Sequence, residues 1–316
     1  YRCSKTFIGI AAPGNSTAVI ATLKDQNGIN DVVSGRNVVV TLSTTNGTPG
    51  SDFDIAGTLT IVEGNAAGTV TFMALDDPTD EVNETVTVDI TGVQNGTELA
   101  LQQQNVTIVD DDDPPTVSLS VASATIGENQ GTTTTQVIAT LNFFSSFDVI
   151  VSLRPSGSTV AADYTLPGTI KVPAGNPTFS VTLAASGDVL DEDDETVIID
   201  IIGVTNGTEN GEQQATVTIL DDDATPNVTL AIDHVQIDES PAANTTVVRV
   251  TLDAISGRNV RVTLGMTGVA KLDQDYTLGD KIIIDAGAPE AFIPLTALHD
   301  VLFESDEDIT VDIVAL

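Results

Sequence analysis

The chain repeats itself at a step that only a whole domain can account for. Asp52-Phe53, Asp163-Tyr164 and Asp275-Tyr276 stand about 111 and 112 residues apart. Asp77, Asp188 and Asp300 keep the same step, as do Glu81, Glu192 and Glu304, and Glu84, Glu195 and Glu307. Ser34-Gly35-Arg36-Asn37-Val38 returns as Ser256-Gly257-Arg258-Asn259-Val260. Solenoid repeats run to roughly 20 to 50 residues, so this period indicates tandem domains instead. The expected boundaries are 1–113, 114–225 and 226–316, each copy long enough to bury its own core.

Within the second copy, alternation of apolar and polar residues predicts strands over about 117–126, 134–141, 147–153, 168–172, 177–184, 195–204 and 213–220. Val137, Ala139 and Leu141 face one way, and Gln136, Ile138 and Thr140 the other. Asn95-Gly96 and Asn206-Gly207 fall between the last two strands of their copies, where such a pair suits a hairpin. Val-, Ile- and Thr-rich strands with frequent turns and no helical period give an all-β chain of three sandwiches, each of about seven strands. With aromatics at 4 % and no Trp, the cores are aliphatic.

The copies differ at the chain ends. By register from the second strand, Tyr1 matches Leu119, so the first copy is expected to lack the start of its first strand; it also carries a longer loop, Asp25 to Asn37. The third copy stops at Leu316, which matches Val204, and lacks a last strand. The first and third sandwiches are therefore expected to be incomplete, and an open sheet edge can accept a strand from a neighbour. The segment Tyr1 to Ile10 of another molecule is the candidate donor.

A formal net charge of −35 excludes nucleic acid and anionic membrane surfaces as partners and favours cations. With 18 % charged and 41 % hydrophobic residues, the chain has the composition of a folded protein. Its single cysteine, Cys3, allows no internal disulfide. A start at Tyr1 reads as a processed or excised segment; cysteine avoidance suits an oxidising exterior as well as a cytosol, and the expected location is extracellular or at the cell surface. Eight Asn-x-Ser/Thr sites, at Asn15, Asn46, Asn83, Asn95, Asn105, Asn206, Asn227 and Asn244, are possible glycan acceptors.

The acids are clustered. The stretch Gly187–Glu195 holds six acids in nine positions; its counterparts are Asp76, Asp77, Asp80, Glu81 and Glu84, and then Asp300, Glu304, Asp306, Glu307 and Asp308. Asp110–Asp113 and Asp221–Asp223 close the first two copies. Two carboxylates about 4 Å apart repel by about 1 kcal/mol even in bulk water, so convergent acids call for a counter-ion. Hard oxygen ligands in loops suit Ca²⁺ over Mg²⁺, which prefers a tighter octahedron. Only His234 and His299 are present, which disfavours zinc. A solvated, repulsive face is the alternative reading, and for scattered acids such as Asp148 and Asp253 it is the better one.

A Glu after the first strand (Glu128, Glu239), the mid-domain Asp-Tyr or Asp-Phe, the Asp-x-x-x-Glu-x-x-Glu block before a strand and the closing Asp run together resemble the Calx-beta repeat. That family occurs in sodium/calcium exchangers, integrin β4 and large bacterial surface proteins. The resemblance implies an immunoglobulin-like sandwich with an ion cluster between loops at one end. Carried over, it implies as second-copy ligands Glu128, Asp163, Asp188, Glu192, Glu195, Asp221, Asp222 and Asp223, with the carbonyl of Leu190. The first copy offers Asp52, Asp76, Asp77, Glu81, Glu84, Asp110, Asp111 and Asp112, with Ile10 in place of the first Glu. The third offers Glu239, Asp275, Asp300, Glu304 and Glu307.

No acid pair with separated environments, nucleophile motif or phosphate loop appears, so no enzyme activity is expected. The expected function is an extracellular, calcium-stiffened stalk, adhesin segment or filament subunit that associates with itself or with other surface proteins. A calcium-sensing regulatory module is the alternative implied by the exchanger resemblance, and a non-catalytic ligand-binding module is a third.

Overall fold

The computed structural model describes residues 2–7, 15–48, 50–129, 131–160, 162–240, 242–301 and 305–316. Ile10 and Glu304 lie outside the described residues. Among those described, all regular structure is β, in 26 strands.

The second domain shows the plan. One sheet runs Tyr164–Thr165, Thr178–Ala185, Thr134–Leu141, Thr116–Val121, Thr208–Glu209; the other runs Thr125–Gly127, Gln214–Leu220, Glu195–Thr205, Val149–Gly157, Thr169–Val172. Their inner faces meet in an aliphatic core that includes Val137, Ala139, Leu141, Val151, Ile170, Leu183, Val197, Ile199 and Val217. Alternation is why these residues meet: in Thr134–Leu141 every second residue is buried, as the pattern predicts. The first and third domains have their own cores, centred on Val38, Val40, Phe53 and Phe72, and on Val248, Val250, Val262 and Ile284. Phe53 stacks on Phe72 at 4.8 Å between ring centroids, a modest aromatic addition to an otherwise aliphatic interior.

Three local features depart from the sequence reading. The strand expected over 117–126 breaks after Val121 and resumes at Thr125 in the opposite sheet, parallel to Thr218–Leu220. Ser123 makes the crossing: its N–H donates to Thr135 Oγ1 (2.9 Å) and its Oγ accepts from Thr125 N–H (3.3 Å), replacing ladder bonds. The Asn-Gly pairs do not form tight hairpins. Asn95 and Asn206 take φ of 61° and 57° and donate their side-chain amides to the carbonyls of Asn37 (2.9 Å) and Asp148 (3.0 Å). In the second domain the chain then adds Thr208–Glu209 in parallel to Thr116–Val117 before returning.

The third departure is at the start of the chain. Arg2–Phe7 pairs antiparallel with Ser16–Lys24, Cys3 opposite Leu23, as Val117 lies opposite Leu141 in the second domain. Its other side pairs with Thr97–Glu98. The first strand is therefore not truncated, because the connection to the next strand is shorter than in the second domain. Arg2–Phe7 pairs along its length with Ser16–Lys24 and, at Arg2 and Cys3, with Thr97–Glu98, so within this chain it lies in the sheet of its own domain. In the third domain the sheet Lys281–Ile284, Val260–Gly268, Ile309–Ala315 has three strands among the described residues, against four and five in its counterparts.

Candidate metal centre

The switch of strands at Ser123 builds the acidic end of the second domain. Because Thr125–Gly127 runs parallel to Thr218–Leu220, both strands leave the sheet at the same end, carrying Glu128 and Asp221–Asp223 out side by side. Glu128 N–H donates to the Leu220 carbonyl at 3.1 Å, fixing that proximity. One carboxylate oxygen from each of Glu128, Asp221 and Asp223 lies within 4.8 Å of the others.

The remaining acids are held from other loops. Asp163 is clamped by its own turn: its carboxylate accepts from Val160 N–H (2.7 Å) and its carbonyl from Ser186 N–H (2.7 Å). Asp188 accepts from Leu190 N–H through Oδ1 (2.8 Å), and its carbonyl accepts from the Asn129 amide (2.9 Å). Leu190 is thus at least the residue whose N–H orients Asp188. Glu195 opens the strand that pairs with Gln214–Leu220, opposite Ile219.

The electrostatics are those of a cluster lacking positive charge. Burial, followed by the charges of Asp188, Asp221, Asp223 and Glu192, pushes Glu128 up to about 7. Burial and the adjacent Asp163 push Glu195 up to about 7 as well. Glu192 is raised by burial and then by Asp188, Asp163 and Asp221. Asp221 Oδ1, Asp222 Oδ2 and Asp223 Oδ2 are buried and accept no hydrogen bond among the described residues. Buried anionic oxygens with no donor are costly, and a hard cation is what such a donor set fits.

The first domain presents the same arrangement as a cleft lined by all eight predicted acids, Asp52, Asp76, Asp77, Glu81, Glu84, Asp110, Asp111 and Asp112. Glu81, Glu84, Asp110 and Asp112 are all raised, burial being the first cause in each. Its carboxylates are less tightly grouped: among the described residues only the Glu128 set brings three within 4.8 Å. In the third domain Asp275 is clamped as Asp163 is, accepting from Lys271 N–H at 2.7 Å, while Glu239, Asp300 and Glu307 are exposed.

Two acids of the central stretch turn away from the cluster. Asp191, 4 % exposed, forms a backbone bridge to Ser256 of the third domain. Arg258 Nη2 donates to both its carboxylate oxygens at 2.7 Å, Ser256 Oγ donates at 3.2 Å and Thr225 Oγ1 at 3.3 Å. The Arg258 hydrogen bond holds Asp191 below the usual carboxylate range despite its burial. Arg258 Nη1 also reaches Asp193 Oδ1 at 2.8 Å. Asp80 does the same at the first junction, bridged to Ser145 and accepting from its Oγ at 2.8 Å. The sequence carries a signal for the second junction in the recurring Ser-Gly-Arg-Asn-Val segment, which the ligand pattern leaves unused; the first junction, at Ser145-Ser146-Phe147, lacks it.

The model of the Calx-beta domain matches residues 30–112, 110–223 and 221–316. The chain belongs to the Calx-beta family. Among solved structures, the calcium binding domain CBD12 of CALX1.1 is similar at 20 % identity, over 62 % of this chain and 79 % of that one, with a TM-score of 0.30. The apo-form Calx CBD1 domain is similar at 21 % identity over 35 % of this chain and 100 % of that one, with a TM-score of 0.29. The surface layer protein SbsC, domains 1–6, is similar at 12 % identity over 99 % and 53 %, with a TM-score of 0.21. A search of curated proteins finds no match. As Calx-beta domains, the three copies share one plan, and their acidic ends face the next domain in the first two.

Proposed function

We propose that this chain is a non-catalytic, calcium-binding scaffold, in which Ca²⁺ at the acidic domain ends stiffens the junctions of an extracellular stalk. The observation that carries this is the convergence of Glu128, Asp221 and Asp223 around buried carboxylate oxygens that no donor satisfies. Asp163, Asp188, Glu192, Glu195 and Asp222 would complete the donor set, and the eight cleft acids would do so in the first domain. A calcium ion supplies the positive charge these carboxylates lack; the chain's own contribution is to hold them together with Asx turns and strand ends. Support for a structural role comes from the junctions. Asp191 lies between Asp188 and Glu192, so the loop that would bind the ion also grips the following domain.

That adjacency also favours a second reading, a calcium sensor in which occupancy changes the angle between domains. Thermal unfolding of chelated protein across a calcium titration tests both. One site at 100 times its dissociation constant stabilises by about 2.7 kcal/mol, so several sites should raise the transition by many degrees. Half-effect from tens of micromolar upward supports the stalk, and half-effect near one micromolar the sensor. A transition that calcium leaves unmoved overturns both.

A further inference from the structure

The Ser-Gly-Arg-Asn-Val segment occurs twice, and only one copy is engaged. At Ser256–Arg258 it receives the acidic tip of the second domain through four contacts. Asp191 N–H donates to the Ile255 carbonyl (3.3 Å), Gly257 N–H to the Asp191 carbonyl (3.0 Å), and the Ser256 hydroxyl and Arg258 guanidinium to the Asp191 carboxylate. Ser145 receives Asp80 by the same backbone pair, Asp80 N–H to Phe144 carbonyl (3.3 Å) and Ser146 N–H to Asp80 carbonyl (2.9 Å).

Ser34-Gly35-Arg36 has the same local build. Arg36 N–H donates to Ser34 Oγ at 3.1 Å, as Arg258 N–H does to Ser256 Oγ at 3.1 Å. Gly64 N–H donates to the Ser34 carbonyl at 2.9 Å, as Gly287 N–H does to that of Ser256 at 2.8 Å. Asn37 Oδ1 accepts from Glu63 N–H at 2.9 Å, as Asn259 Oδ1 does from Ala286 N–H at 2.8 Å. Yet among the described residues the Gly35 N–H and Val33 carbonyl take part in no backbone hydrogen bond, and the exposed Arg36 forms no ion pair. The four groups used at Ser256 are all present, and apart from the Arg36 N–H that Ser34 Oγ accepts, none of them is engaged among the described residues.

We propose that Ser34-Gly35-Arg36 is a docking site for the acidic tip of another Calx-beta domain, one that carries an Asp at the place of Asp191. A guanidinium fork beside a free N–H and carbonyl recognises an aspartate together with its own backbone, which a scattered surface acid does not offer. The third domain of a second copy is not that partner. In sequence register it has Phe303 and Ser305 where the second domain has Asp191 and Asp193. The site therefore selects against closure of this chain on itself and for a tip of the second-domain kind.

The test extends the full chain with an added copy of residues 114–225, joined so that its Thr225 precedes Tyr1. Val228 lies opposite Leu252 and Cys3 opposite Leu23, so this joint reproduces the spacing of the second junction, and linkage supplies a high effective concentration. With Cys3→Ser in place, spin labels at Thr71→Cys and at an exposed position of the added domain report the distance distribution across the new junction. A distribution as narrow as that of the second junction is expected. Arg36→Ala, or Asp191→Ala in the added copy, should broaden it about two-fold, and the two together no further, while Arg36→Lys gives an intermediate width. Arg154→Ala, at an exposed site elsewhere, should leave it unchanged. A distribution broad from the outset, or one indifferent to Arg36→Ala while every domain retains its melting transition, overturns the proposal.

Discussion

At the second junction Arg258 reaches back to Asp191 and Asp193; at the first, the matching positions are Phe147 and Val82, and Asp80 is held, besides the backbone pair, by the hydroxyls of Ser145 on its carboxylate and Ser146 on its carbonyl, with no arginine. The backbone bridge is common to both, so the geometry of the joint does not depend on the salt bridge. The arginine instead adds an electrostatic clamp to the joint below the more crowded acidic tip. That tip carries Glu128, which burial and four neighbouring acids push up to about 7, and the three closest carboxylates. The stronger clamp accompanies the greater repulsion.

Calcium removal should break the comparison most visibly. Both joints lie in loops of the candidate ion sites, so a chelator should loosen both and lower the melting transition by many degrees, read by calorimetry. The pH dependence then separates the two ends. A carboxylic acid whose folded pKa lies above its ordinary value of 4.5 makes the folded state bind more protons than the unfolded state. Stability without calcium should therefore fall as pH rises from about 4.5 to about 7 and return on acidification. The transition of the second domain should move more than that of the first. With saturating calcium the order reverses, because protons compete for the same oxygens and affinity weakens below about pH 7.

Glu128→Gln sharpens this further. In chelated protein at pH 8 it removes one charge from the cluster and should raise the second domain's stability by about 1 kcal/mol, the cost of one close like-charge contact near water. With calcium present it should weaken binding in that domain about ten-fold by titration calorimetry and leave the first domain unchanged. Loss of stability in both conditions would mean that Glu128 is a structural acid and not a ligand.

Arg258→Ala has a smaller, local effect. Asp191 is buried and keeps Ser256 and Thr225 as donors, so the loss should be about 1.5–3 kcal/mol, the range for a hydrogen bond to a charged group. It should appear as independent melting of the third domain and a broader distance across the second junction, with the first unaltered. Asp191 is depressed in the folded state, so its contribution is present above the ordinary carboxylate range and fades as pH falls through the depressed value. Arg258→Ala should therefore matter less in strong acid than at neutral pH.

The sequence made the period, the aliphatic sandwich and the acids of the first two ends legible, because strand alternation and a fixed step place those residues without reference to contacts. Asp191 and Glu192 show why the rest was not. They are adjacent acids in a loop, and what sends one to the next domain and the other toward the cluster is the bridge to Ser256, a contact 65 residues away. The break at Ser123 was hidden because both halves of the strand alternate. The start of the first domain is not legible because Val19-Ile20-Ala21-Thr22-Leu23 matches Val137-Ile138-Ala139-Thr140-Leu141 while the connection before it is shorter, which a register taken from that strand does not show.

The smallest effect is the most specific. Phe147→Arg should transplant the clamp to the first junction, since Phe147 N–H already donates to Ser145 Oγ at 3.1 Å, as Arg258 N–H does to Ser256 Oγ. Asp80 is 8 % exposed and can accept a guanidinium, but Val82 offers no second carboxylate in place of Asp193. The gain should therefore be below that lost in Arg258→Ala, about 0.5–1 kcal/mol as for a partly exposed pair. It should be read as a higher temperature of separation for the first junction, and adding Val82→Asp should raise it again. If Phe147→Arg instead loosens the junction, the half-buried ring is itself the clamp, and the two joints use different physics on one backbone frame.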